Sequence, residues 1–76
     1  MNGKRKNKET FAQISAHFPR REAVAYVINA VMNEGLSFTD ACDNENMYGD
    51  RADIVAERAV AAAYLRKAGY TARYTN

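Results

Sequence analysis

His17 and Cys42 are the only histidine and the only cysteine in 76 residues, and a Cys/His pair is a known arrangement of nucleophile and base. No local signature surrounds either residue, so the plainer assignment is Cys42 as a small buried apolar group and His17 as a partly exposed surface side chain. The sequence therefore predicts no enzyme and no cofactor.

Asp40, Asp43, Asn44, Glu45, Asn46 and Asp50 gather oxygen ligands of the kind calcium takes, but their spacing is wrong. A helix–loop–helix calcium loop needs oxygens at its first, third and fifth positions, glycine at the sixth and glutamate at the twelfth. Counting from Asp43 puts Met47, Tyr48 and Ile54 at the fifth, sixth and twelfth, and counting from Asp40 puts Cys42 at the third. No metal site is predicted. Gly3, Gly35, Gly49 and Gly69 are isolated, which leaves neither a dinucleotide fingerprint nor a phosphate loop.

Two constellations suit binding rather than catalysis. The first is acidic: Asp40, Asp43 and Glu45 surround Phe38, Met47 and Tyr48, and carboxylates around apolar anchors make a face for a larger, basic protein partner. This gives the leading functional expectation, a small non-enzymatic accessory protein, inhibitor- or adaptor-like, of the sort viruses and mobile elements encode. The second is basic. Lys4, Arg5, Lys6 and Lys8 form an N-terminal arm, while Arg66, Lys67, Tyr70, Arg73 and Tyr74 interleave cations with aromatic rings, as surfaces that pair phosphates and stack bases do. It gives the alternative, a nucleic-acid-binding protein. No helix-turn-helix accompanies it, since residues 36–45 are too short and too acidic for a recognition helix.

Charge is divided accordingly. The net charge is only +2. Residues 1–22 carry Lys4, Arg5, Lys6, Lys8, Arg20 and Arg21 against Glu9 and Glu22; residues 23–50 carry five carboxylates and no Lys or Arg; residues 51–76 return to net positive. Hydrophobic residues at 47% and charged residues at 26% are ordinary for a folded soluble chain. The length allows one domain, here residues 9–76 behind a flexible arm at 1–8, and a domain this small has little core to spare. A single cysteine rules out an internal disulfide and fits a reducing, cytoplasmic setting. The charged start is not followed by the apolar core of a signal peptide. No apolar run approaches the ~20 residues needed to cross a bilayer, so no membrane association is expected.

The elements that must hold these residues are mainly helical. Thr10 and Gln13 have capping-box spacing, and Phe11, Ile14 and Phe18 fall at helical intervals, although Ala12, Ile14, Ala16 and Phe18 also alternate as a strand would. Residues 19–34 form the clearest helix, with Val24, Val27, Ile28, Val31 and Met32 on one stripe, Pro19 in its first turn and Gly35 as its stop. Ser37 or Thr39 can cap a single turn, and Leu36, Phe38, Cys42, Met47 and Tyr48 can tuck into the core. Asp50 is placed to cap a second principal helix, 51–68, packed antiparallel to the first. This helix carries seven alanines, which suit a central position or a shared face in a homo-oligomer. Residues 70–75 read as an extended segment. The alternative fold is α+β, with short strands at 11–18 and 70–75.

Overall fold

The Thr10 side chain accepts a hydrogen bond from the Gln13 amide at 3.2 Å, and the Gln13 side chain accepts one from the Thr10 amide at 2.9 Å. This reciprocal box starts α1, Phe11–His17, and decides between the helical and alternating readings of that stretch. As a helix the segment buries Ile14 and leaves Ala12 and Ala16 exposed, whereas a strand would have pointed all three to one face. The computed structural model describes residues 6–75, and among them there are four helices and no strand. The fold is mainly α, and the α+β alternative is set aside.

The second helix, α2, spans Glu22–Glu34 and starts three residues later than the sequence pattern predicts. Phe18 precedes a proline and stands at φ −134°, ψ 61°, outside the helical region that a following proline disfavours. Its amide closes α1 on the Ser15 carbonyl, and the Arg21 amide returns to the Phe18 carbonyl. Pro19 and Arg20 therefore make a turn, not the first turn of a helix. The predicted stripe is correct where it matters: Val24, Val27, Ile28 and Met32 are all buried. Gly35 ends α2 at φ 76°, donating to the Ala30 carbonyl; glycine takes this left-handed geometry without a Cβ penalty.

Ser37 caps α3, Phe38–Asn44, its hydroxyl accepting from the Asp40 amide at 3.1 Å. The expected single turn is thus a seven-residue helix, long enough to bury Phe38, Ala41 and Cys42 on one face. The Met47 amide then bonds to the Cys42 carbonyl and draws Met47 into the core, while Tyr48 stays 55% exposed, in keeping with its reading as a surface anchor and not with its reading as a residue that can tuck into the core.

The last helix, α4, spans Ala52–Lys67. Its N-cap is Arg51, which makes no side-chain cap bond. Asp50, expected in that role, lies one residue too early. Asp53, already inside the first turn, supplies the negative charge there and accepts from the Ile54 amide at 2.9 Å. Only Ala61, Ala62 and Leu65 of this helix are buried. The central element is α2, which packs against α1, α3 and α4, so the alanine-rich helix is peripheral. Ala52, Val55, Ala56, Ala59 and Ala63 face outward along it.

Both ends of the described chain are tied down by hydrogen bonds. The Asn7 amide donates to the Ala68 carbonyl at 2.8 Å, and the Asn33 side-chain amide donates to the Glu9 carbonyl at 2.9 Å. Residues 1–5 of the predicted arm lie outside the described residues; Asn7 to Glu9 run against α4 and α2. At the other end residues 70–75 are irregular and are held by side chains, not by strand pairing. Arg66 donates to the Ala72 carbonyl at 2.7 Å, and Thr39 bonds to the Arg73 carbonyl and the Thr75 amide.

Candidate functional site

The Asn7–Ala68 bond has a consequence beyond the fold: it brings the two basic segments picked out in the sequence side by side. Lys6 Nζ stands 5.2 Å from the centre of the Tyr70 ring, within the range of a cation–π contact. Lys6, Lys8, Tyr70 and Arg73 then line one open groove of about 850 Å³. Its exposed cations are Lys6, Lys8 and Arg73, and Asp40 is the one acid among its lining residues. Its inner surface is apolar, made by Val31, Met32, Leu36 and Phe38, all buried or half-buried.

The remaining predicted basic residues have separate surroundings. Lys4 and Arg5 lie outside the described residues. Arg66 lines a shallower hollow on which Tyr70, Thr71 and Arg73 also border, but part of its guanidinium is committed to the Ala72 carbonyl. Lys67 is exposed at the end of α4 and borders neither hollow. Tyr74 turns away from the groove. Its ring lies under the Arg58 guanidinium at 4.1 Å and its hydroxyl donates to Asp43 at 2.8 Å. Removal from water, and then the Asp43 acceptor, hold its phenol above the ordinary tyrosine range.

The acidic constellation does not assemble as a docking face with apolar anchors. Phe38 and Met47 are core residues, 4% and 2% exposed, so neither is available to a partner. Asp40 belongs to the lip of the basic groove, Asp43 is engaged by Tyr74, and Glu45 is half-buried. The segment 23–50 has no cation of its own, yet Arg58 arrives from α4 and donates to the carbonyls of Met47 and Gly49 at 3.1 and 2.8 Å. Of the six residues, Tyr48 alone is both apolar in bulk and exposed.

Cys42 is fully buried, and loss of hydration pushes its thiol up to about 11, with Arg58 opposing that rise and Asp43 adding to it. His17 is exposed on α1, where its partners are Glu9 at 3.4 Å and the Tyr64 ring at 5.6 Å between centroids. The phenol of Tyr64 donates to Glu9 and is pushed up to about 12, first by burial and then by that bond. Glu9, Tyr64 and Arg58 all escaped the sequence reading. Glu9 and Tyr64 are 55 residues apart, and nothing local to either marks the other. Among the described residues no three His, Cys, Asp or Glu side chains cluster closely enough to hold a metal ion. Among them, too, no helix is long and apolar enough to cross a membrane.

Comparison with protein-family models, with curated protein sequences and with solved structures found no match. The functional reading therefore rests on the residues and their geometry.

Proposed function

We propose that this chain is a non-enzymatic nucleic-acid-binding protein whose contact surface is the groove between the N-terminal segment and residues 70–73. The observation that carries this reading is the juxtaposition of Lys6 and Lys8 with Tyr70 and Arg73, residues more than 60 positions apart that the Asn7–Ala68 bond places on one groove. Among the described residues, three exposed cations and one carboxylate line the groove, a balance that attracts a phosphate chain. A reducing, cytoplasmic setting suits a protein with one buried free thiol.

The test is fluorescence anisotropy with labelled oligonucleotides of about 12 nucleotides, within the usual site sizes of such surfaces, across a salt series. Affinity is expected to fall steeply with salt. The triple substitution Lys6→Ala, Lys8→Ala, Arg73→Ala is expected to weaken binding and to flatten the log–log salt slope by about 2, at ~0.7 per phosphate contact on a single strand. Absence of binding at low salt, or a slope the triple variant leaves unchanged, defeats the proposal.

The reading as a regulator that binds a larger protein is favoured by one observation, the exposure of Tyr48 and Val55 at 55% and 43% on or beside α4. In that case Tyr48→Ser combined with Asp43→Lys and Glu45→Lys abolishes co-purification of the partner, whereas the groove substitutions leave it intact.

A further inference from the structure

Resting on the nucleic-acid reading, we infer that the groove takes single-stranded nucleic acid, with unpaired bases against its apolar floor and phosphates along its cationic rim. The division of chemistry within the groove points to this. Val31 and Leu36 are only half-buried and give the groove its accessible apolar surface, with Met32 and Phe38 closing the core beneath them. A duplex keeps its bases stacked inside and turns phosphates and sugars outward, so it has nothing to place against such a floor. A single strand does, since every base has an apolar face that stacks or packs without regard to sequence.

The cations are placed for the other half of that ligand. Lys6, Lys8 and Arg73 line the same groove, and Lys6 stands over the ring of Tyr70, which lines it too. The groove, at about 850 Å³, is within the ~300–1,000 Å³ of small-ligand pockets, the scale of individual nucleotides. The helices offer no alternative for duplex DNA. The outward face of α4 is alanine and valine over most of its length, with exposed Arg66 and Lys67 only in its last turn, and α3 is short and acidic.

The experiment measures anisotropy for the full chain with a fluorescein-labelled single-stranded DNA, the same sequence as RNA, and the same DNA as a blunt duplex, all at one low salt concentration. Both single strands are expected to bind at least ten-fold more tightly than the duplex. Tyr70→Leu, which keeps apolar cover but removes the ring, is expected to weaken single-strand binding about five-fold or more, and Tyr70→Phe to restore it. Duplex binding as tight as single-strand binding overturns this inference and leaves the nucleic-acid reading standing. Binding of neither overturns both. A Tyr70→Leu variant that binds single strands as wild type does overturns the placement of bases in the groove, and the wild-type comparison decides the strand preference even if that variant fails to fold.

Discussion

The hydroxyl of Tyr64 donates to the carboxylate of Glu9, across 55 residues of sequence and between the N-terminal segment and α4. The same carboxylate faces His17, and the Glu9 carbonyl accepts from Asn33 of α2. With the Asn7–Ala68 bond, Glu9 thus fixes the segment that carries Lys6 and Lys8 to the body of the domain. Glu9→Ala removes the acceptor and is expected to destabilise the fold by about 1–3 kcal/mol, as for a hydrogen bond to a charged group, and to weaken oligonucleotide binding because Lys6 and Lys8 are no longer held beside Tyr70. Tyr64→Phe keeps the ring packing and is expected to cost about 1 kcal/mol. Urea midpoints with anisotropy on the same samples check both; unchanged binding by a folded Glu9→Ala protein would separate the latch from the groove.

Alkaline pH is expected to loosen the fold in two stages. Cys42 and Tyr64 each have a folded pKa above the unfolded value, 9.0 to about 11 for the thiol and 10.0 to about 12 for the phenol. The folded state therefore holds its protons longer than the unfolded state does, and stability falls as pH rises between the two values. The loss begins near pH 9 with Cys42 and continues from pH 10 with Tyr64. Melting temperatures between pH 8 and 11.5 should show this, with Cys42→Ala removing the first stage and Tyr64→Phe reducing the second, to which the raised Tyr74 phenol also contributes. Below pH 9 the buried thiol should react with a disulfide reagent only as fast as the protein opens.

What the sequence showed and what it hid divide by distance along the chain. The Thr10–Gln13 box, the Val24–Met32 stripe and the Gly35 stop are legible because their partners lie within a few residues, where helical geometry fixes who meets whom. The start of α2 was misplaced because two local rules conflict at Pro19: its own ring suits a first helical turn, while its effect on Phe18 argues against one. Burial of Phe38 and Met47 and exposure of Tyr48 depend on which face of α3 meets α2 and on the bend after Glu45, neither of which alternating composition encodes. The basic groove was half visible. Its cations are identifiable in the sequence, but their union needs the Asn7–Ala68 bond, and its half-buried apolar residues Val31 and Leu36 read only as core.

Asp40 is the carboxylate at the lip of the groove, and it opposes a phosphate chain there. Asp40→Asn is expected to tighten oligonucleotide binding several-fold, the effect of removing ~1 kcal/mol or less of repulsion at an exposed site, and to steepen the salt dependence slightly. It should also cost a few tenths of a kcal/mol of stability, because Asp40 stands in the first turn of α3. Asp53→Asn, on α4 and away from the groove lining, is the control and should leave affinity unchanged. Equal effects of the two would mean that net charge, not the groove, governs binding.

Arg58 is expected to be the surface cation whose loss costs most. Its guanidinium satisfies the Met47 and Gly49 carbonyls and covers the Tyr74 ring, whose hydroxyl in turn holds Asp43. It therefore ties α4 to the loop after α3 and to the C-terminal segment at once. Arg58→Met preserves much of the stem but leaves both carbonyls without this donor, and should destabilise the domain by about 1–3 kcal/mol. Arg58→Lys should recover only part of that: a single nitrogen can serve both carbonyls, as one guanidinium nitrogen does here, but an ammonium on a shorter side chain lacks the planar group that covers the Tyr74 ring at the same time. Arg51→Met, which loses only an exposed ion pair with Asp53, should fall within about 0.5 kcal/mol of wild type. Urea denaturation of the three variants orders them, and an Arg58→Met midpoint equal to that of Arg51→Met would show that water replaces the guanidinium without cost.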